Sequence, residues 1–243
     1  MQPDLHVELH QIRSRHWWYR GRRTVLGAIL APYLSSIPDG NLLDLGSGPA
    51  TNHDLIAPLG RPIVALDLSA AALNLSKRSG YGTGVLADAV SIPFRDESFA
   101  MVIATDLLEH IEDDSAALAE ISRTLKPDGL VLVVVPAFQI LWGWQDEISG
   151  HHRRYSPSEV RQLVEDGGLE VVRSTCMNIL LAGPILAARK LLKRTNLPAR
   201  SENRLLPEIL NPLLYAIFAA ETAVVSRWDV PYGTSAVCVA RRR

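Results

Sequence analysis

Leu42-Leu43-Asp44-Leu45-Gly46-Ser47-Gly48-Pro49-Ala50-Thr51 is an apolar strand that runs into a glycine turn and then into a helical pattern. The two glycines let the backbone take positive φ and let a ligand approach it. A helix starting just beyond presents N–H groups that lack intrahelical partners. This reads as the first strand-to-helix turn of an open α/β sheet, with a docking place for a polar ligand. Working outward, short apolar runs at Ile63 to Leu66, Val85 to Ala87, Ala100 to Ala104 and Leu130 to Val135 alternate with helical spacing over Thr51 to Leu59, Ser69 to Ser79 and Asp113 to Leu125. Strands that are apolar along their length are buried on both faces, and their alternation with helices predicts a parallel sheet. Ser69 is placed to cap its helix, Lys126-Pro127-Asp128-Gly129 turns the chain into the next strand, and Ser156-Pro157 opens a further helix that runs to Gly167-Gly168. Leu169 to Ser174 and Ser235 to Ala240 complete the strands.

The chain has 243 residues, 47% of them hydrophobic, which suits one α/β domain with additions and excludes disorder and fibrous repeats. With 25 basic and 26 acidic side chains the net charge is −1, so no global field attracts a polyanion. The basic residues are scattered without an aromatic-studded groove, and nucleic acid is not expected as a partner. Cys176 and Cys238 each stand alone in apolar surroundings, as buried thiols in a reducing compartment do; a single bridge between them is the alternative. The first 16 residues are polar and rich in histidine, with no apolar core of a signal peptide, so a cytoplasmic location is expected. The apolar stretches 179–188 and 205–225 are broken by Gly, Pro and Glu, and read as buried or surface-lying helices rather than membrane spans.

Asp67, 19 residues after Gly48, ends the second strand at the carboxyl edge of the sheet, where open α/β sheets bind ligands and where an acid can take both hydroxyls of a ribose. Asp88 ends the third strand, placed to accept a hydrogen bond from an exocyclic amine such as that of adenine. A dinucleotide fold shares part of this pattern. Here, however, Thr51 stands where the third glycine or alanine of the dinucleotide fingerprint belongs, and Asp44 would repel a pyrophosphate while welcoming a cation. The edge therefore suits a positively charged adenosine derivative, and an NAD-dependent oxidoreductase is the weaker reading.

These motifs resemble the class I S-adenosylmethionine-dependent methyltransferases of the type 11/type 23 small-molecule group. The likeness is carried by Leu42 to Gly48, Ala65-Leu66-Asp67-Leu68-Ser69, Ala87-Asp88-Ala89, Ile92-Pro93-Phe94, Thr105-Asp106-Leu107-Leu108-Glu109-His110-Ile111 and Leu125 to Gly129. It implies a Rossmann-like fold, a seven-stranded sheet of order 3-2-1-4-5-7-6 whose last strand, Ser235 to Ala240, is antiparallel. It also implies roles: Asp44, Gly46 and Gly48 around the methionine part, Asp67 on the ribose, Leu68 and Ala89 against adenine, Asp88 on its amine, and Thr105 and Leu107 beside the sulfonium. The product would be S-adenosylhomocysteine.

Four parts follow: an aromatic and arginine cap over 1–40, a cofactor core over 41–135, an acceptor-site loop over 136–155 and a helical lid over 177–231. In the cap, His16-Trp17-Trp18-Tyr19-Arg20-Gly21-Arg22-Arg23 reads either as a packed helix or as a cover for the cofactor. In the second case Tyr19 and Arg23, with Arg22 second, meet the cofactor's carboxylate, and Trp18 faces the acceptor. The loop carries Trp142 and Trp144 for the acceptor, His151 and Tyr155 over the sulfonium, and Arg153 or Arg154 for an anionic group. The bland alternative is a structural anchor built from the same residues. His110 and His151 are candidate bases, since a histidine near neutral pH can take a proton from an acceptor hydroxyl, amine or carbon. No metal is expected from the spacing of thiols and histidines. Arg189, Lys190, Lys193, Arg194 and Arg200 beside an apolar run suggest a greasy acceptor pocket or a peripheral membrane contact. A fold that binds a nucleoside or partner without transfer is the alternative from another class. The oligomeric state is left open.

Overall fold

The computed structural model describes residues 3–194, 201–204 and 206–243, so Arg200 lies outside the described residues. Two helices, α1 (Pro3–Ile12) and α2 (Trp17–Leu34), precede β1 (Asn41–Leu45). There follow α3 (His53–Ile56), β2 (Ile63–Asp67), α4 (Ala70–Arg78), β3 (Thr83–Leu86), β4 (Phe99–Thr105), α5 (Asp114–Thr124) and β5 (Leu125–Pro136). The rest of the chain forms α6 (Trp144–Ser149), α7 (Pro157–Asp166), β6 (Glu170–Met177), α8 (Ala182–Leu192), α9 (Asn211–Ala220), α10 (Thr222–Val225) and β7 (Ser235–Arg241). The sheet order is β3-β2-β1-β4-β5-β7-β6, with β7 antiparallel to both neighbours and the other pairings parallel.

Period-two alternation divides β4 between two cores. Val102 and Ala104 face Ala117, Leu118 and Ile121 of α5, while Met101 and Ile103 face Val25, Leu26 and Ile29 of α2. α2 forms because Arg22, Val25, Leu26 and Ile29 recur at helical spacing and bury one face against the sheet. On its other side Gly21 admits the Phe218 ring of α9, since a Cβ there would lie 2.3 Å from Phe218 Cδ1. The inserted segment is thereby seated on the N-terminal cap.

Several local expectations are corrected. The polar N-terminus folds as α1, and just beyond it Arg13 Nη1 donates to the Ala50 carbonyl at 3.3 Å. The helix expected over Thr51 to Leu59 shrinks to α3 and a single 3-10 turn at Ala57–Leu59, because Ala50 takes φ 66° and keeps the chain out of helix just before it. The 136–155 loop holds a helix, α6, whose first turn Asp146 caps by accepting the Gly143 N–H at 2.7 Å. Cys176 and Cys238 are buried and free, as expected, so the alternative bridge is absent, and burial pushes both thiols up to about 12. Glu208–Val225 is helical and, by length and composition, apolar enough to cross a membrane, although the sequence is broken by polar residues.

Candidate active site

The glycine turn satisfies its own amides. Gly46 and Ser47 donate to the Leu66 carbonyl at 2.8 and 3.1 Å, and Gly48 donates to Asp67 Oδ2 at 2.8 Å. Asp67 Oδ1 accepts the Ser69 N–H at 2.8 Å, which fixes the carboxylate at the end of β2 with lone pairs left for a ligand hydroxyl. Gly46 and Gly48 take φ 65° and 51°, the left-handed region that glycine enters without strain. Leu107 lies over Gly46, with its Cδ1 2.7 Å from where a Cβ would stand, whereas among the described residues nothing approaches within 4 Å of the equivalent point on Gly48. Gly48 therefore offers its backbone to open space.

Asp44 is fully buried beneath the turn, accepting Asn52 Nδ2 at 2.8 Å and the Tyr81 hydroxyl at 2.5 Å. Burial pushes its carboxyl up to about 6, against the pull of those two donors and of Arg22. Arg22 reaches in from α2, with Nη2 donating to Asn52 Oδ1 at 2.8 Å and Thr105 Oγ1 at 2.6 Å and Nη1 donating to the Asp106 carboxylate. Arg23 instead pairs with Asp54 at 2.8 Å and is part-exposed. The inward position thus moves from Arg23 to Arg22. A residue on the buried face of α2 points to the sheet, and its neighbour is turned about 100° away. Tyr19 lies one turn before Arg22, and burial with the Asp106 charge holds its phenol well above the usual range. At the adjacent strand ends Leu68 is 70% exposed, Ala89 is buried, and Asp88 is exposed while accepting the Val90 N–H at 3.1 Å.

Residues 43–133, which hold this whole acid-lined edge, match the model of a family described as a methyltransferase domain. This region is a class I methyltransferase domain. The chain is 33% identical over 122 residues to a demethylmenaquinone methyltransferase of Renibacterium salmoninarum, covering 50% of this chain and 48% of that one. It is 23% identical over 183 residues to a ubiquinone biosynthesis O-methyltransferase of Colwellia psychrerythraea, covering 68% and 74%. The chain spans about half the length of the demethylmenaquinone methyltransferases it matches. Among solved structures, geranyl diphosphate C-methyltransferase from Streptomyces coelicolor shares the fold with a TM-score of 0.58 at 16% identity, covering 90% of this chain and 80% of that one.

Beyond the match, the methyltransferase domain is extended by the cap and by the residues after β5, and their side chains are more committed to packing than the sequence suggests. Trp18 packs with its ring centroid 5.4 Å from that of Phe218 and so joins α2 to α9. Arg154 is locked on Asp146 at 2.8 and 2.9 Å and on the Ala137 carbonyl, and Arg153 pairs with Asp114 at 3.1 Å. Tyr155 is buried, donating to the Leu108 carbonyl and to Asp114 at 3.1 and 2.8 Å. These three anchor the 136–155 segment. Trp144 is buried at the start of α6 and Trp142 is half-buried before it.

His110 and His151 do come together, with rings 4.7 Å apart. His151 Nδ1 lies 2.8 Å from Asp146 Oδ1, so the carboxylate holds it as the N–H tautomer and leaves Nε2 as an acceptor. Burial and His151 press His110 down to about 4, keeping it neutral. Sequence reasoning missed Asn52, Tyr81 and Glu109. The helical spacing of Arg22 with Val25 and Ile29 was the available signal for Arg22; Asn52 and Tyr81 carried none.

Proposed function

We propose that this chain is a methyltransferase that uses S-adenosylmethionine to methylate a small lipophilic molecule by direct displacement. The observation that carries the reading is the convergence of Asp44, Asp67 and Asp88 at the ends of β1, β2 and β3, around a glycine turn with open space above Gly48. The residues fit such a cofactor: Asp67 would hold the ribose, Asp88 the adenine amine, Leu68 and Ala89 its ring, and Arg22 with Tyr19 the carboxylate, with Asp44, Gly46, Gly48, Thr105 and Leu107 around the methionine part. S-adenosylmethionine supplies an electrophilic methyl group on a sulfonium. Leu107 and the fully buried β4 behind it exclude water from that edge, and alignment with desolvation supplies much of the barrier reduction for in-line transfer. His151, held by Asp146, would take a proton from an acceptor.

The names of two relatives, a demethylmenaquinone methyltransferase and an O-methyltransferase of ubiquinone biosynthesis, support a lipophilic acceptor. So does the face of the inserted segment, where Ile209 and Leu213 are exposed, as is Trp228 beyond it. Arg189 is taken up by Glu202 at 2.6 Å and by the Leu141 carbonyl, but with Lys190, Lys193 and Arg194 nearby in the chain this face suits peripheral contact with an anionic membrane that holds the acceptor. Calorimetry of S-adenosylmethionine and S-adenosylhomocysteine against wild type and Asp67→Ala, with NAD as comparison, tests the reading. Binding of both sulfur nucleosides, weakened at least tenfold by the substitution, with NAD silent, is expected; no binding of either sinks it.

A further inference from the structure

Glu109 is completely buried, yet neither of its carboxylate oxygens has a hydrogen-bond partner among the described residues. An isolated buried carboxylate costs several kcal/mol unless it is protonated or compensated by a cation. The nearest groups are imidazoles. His151 Nε2 stands 3.8 Å from Glu109 Oε1, and His110 packs edge-on against His151. Both rings spend the other nitrogen elsewhere: His151 Nδ1 on Asp146 at 2.8 Å, and His110 Nδ1 on the Gly150 carbonyl at 3.3 Å. Each therefore keeps an Nε2 lone pair available as a ligand. One ligand atom from each of the three residues lies within 4.8 Å of the others.

We infer that Glu109, His110 and His151 form a binding site for a divalent transition-metal ion, of which Zn²⁺ is the best match, at the carboxyl edge of β4. Two imidazoles and one carboxylate suit zinc and its neighbours rather than magnesium or calcium, which prefer oxygen ligands. Zinc–ligand bonds of about 2.0–2.2 Å put tetrahedral ligands roughly 3.3 Å apart, so the side chains close by about an ångström on loading. The outer shell is already built. Asp146 orients His151 and is itself held by Arg154 and by the Gly143 N–H, the carboxylate–histidine arrangement that fixes a metal-binding ring. Three protein ligands leave a coordination position open.

The use of that position rests on the methyltransferase reading. With the metal in place His151 is a ligand and no longer the base, and an acceptor hydroxyl bound at the open position would lose its proton to solvent at lower pH. Its oxygen then forms the O–CH₃ bond as the C–S bond breaks, with the electron pair remaining on sulfur. The acceptor class assigned is therefore a hydroxylated molecule.

The test uses the full chain, free of any histidine tag and stripped with chelator, titrated with Co²⁺ as a visible probe and with Zn²⁺ by calorimetry, while S-adenosylhomocysteine binding is measured on the same samples. One equivalent of Co²⁺ with visible d–d bands is expected, displaced by Zn²⁺. Glu109→Gln and His151→Gln should each weaken it at least tenfold, with the exposed His152→Gln unchanged as control. Should a variant lose its circular dichroism, proton NMR of the Co²⁺-loaded wild type decides independently, because two hyperfine-shifted imidazole N–H signals are expected from His110 and His151. Absence of Co²⁺ and Zn²⁺ binding in protein that binds S-adenosylhomocysteine overturns the site alone. So does an unaltered Co²⁺ spectrum in both folded variants, or Co²⁺ binding without shifted imidazole signals. Metal binding without nucleoside binding keeps the site and overturns the methyltransferase reading.

Discussion

Replacing Asp44 with asparagine separates what stabilises this fold from what serves its ligand. Burial raises the Asp44 carboxyl from its ordinary 3.8 to about 6, despite donation from Tyr81 and Asn52. Between these values the native state keeps a proton that the unfolded chain releases. Wild-type stability therefore falls as pH rises from about 4 through 6, and the cost is complete above 6. At about 1.4 kcal/mol per pH unit, the full difference corresponds to roughly 3 kcal/mol. The asparagine side chain would keep an acceptor for Asn52 Nδ2, and its amide can donate to a reoriented Tyr81 hydroxyl, so about 1–2 kcal/mol of the gain should survive. For a domain of this size that is a rise of roughly 3–6 °C in Tm at pH 8, shrinking to nothing at pH 4. On the proposed cofactor site the same variant should bind S-adenosylmethionine at least tenfold more weakly, with a smaller loss for S-adenosylhomocysteine, since only the former carries a positive charge that the lost carboxylate would attract. Thermal unfolding at pH 4 and 8, with calorimetry at pH 8, provides the check. A lower Tm than wild type at pH 8, with equal values at pH 4, would refute the reasoning.

Three further outcomes are expected. Arg22→Ala should weaken S-adenosylmethionine binding more than tenfold while Arg23→Ala changes it less than twofold, as read by calorimetry; equal effects would remove the assignment of Arg22. Arg154→Ala strands Asp146, which hydrogen bonds from His151 and Arg154 hold below the usual carboxylate range despite its burial, and should cost about 3–5 kcal/mol in denaturant unfolding. A loss under about 1 kcal/mol would show that the pair is dispensable. In flotation, vesicles containing anionic lipid should carry the wild-type chain upward, with Ile209→Glu and Leu213→Glu together reducing the floated fraction at least threefold. Protein that stays at the bottom would remove the membrane contact.

The βαβ alternation and the acids at 44, 67 and 88 were legible in the sequence because each depends on local periodicity or on the residue that ends a strand. The same is true of the Ser156 cap, where the Ser156 and Glu159 side chains each bond the other's backbone N–H. The strand order came with the family likeness and not from the periodicity. The roles of the segment after β5 were not legible. Arg153, Arg154 and Tyr155 look the same in sequence whether they grip a substrate or Asp114 and Asp146, since the partners lie 8 to 41 residues away.

Glu109 and His110 are adjacent and His151 lies far along the chain, with no ligand spacing to mark them, and they meet only because the segment after β5 folds back over the end of β4, the His152 N–H donating to the Glu109 carbonyl at 2.8 Å. Sequence thus determined the elements and the acid edge, which short-range sterics and hydrophobic patterning dictate. Tertiary structure decided which arginine enters the site, which charges cancel one another and which buried carboxylate lacks a hydrogen bond among the described residues, because those depend on contacts between residues that chain order does not bring together.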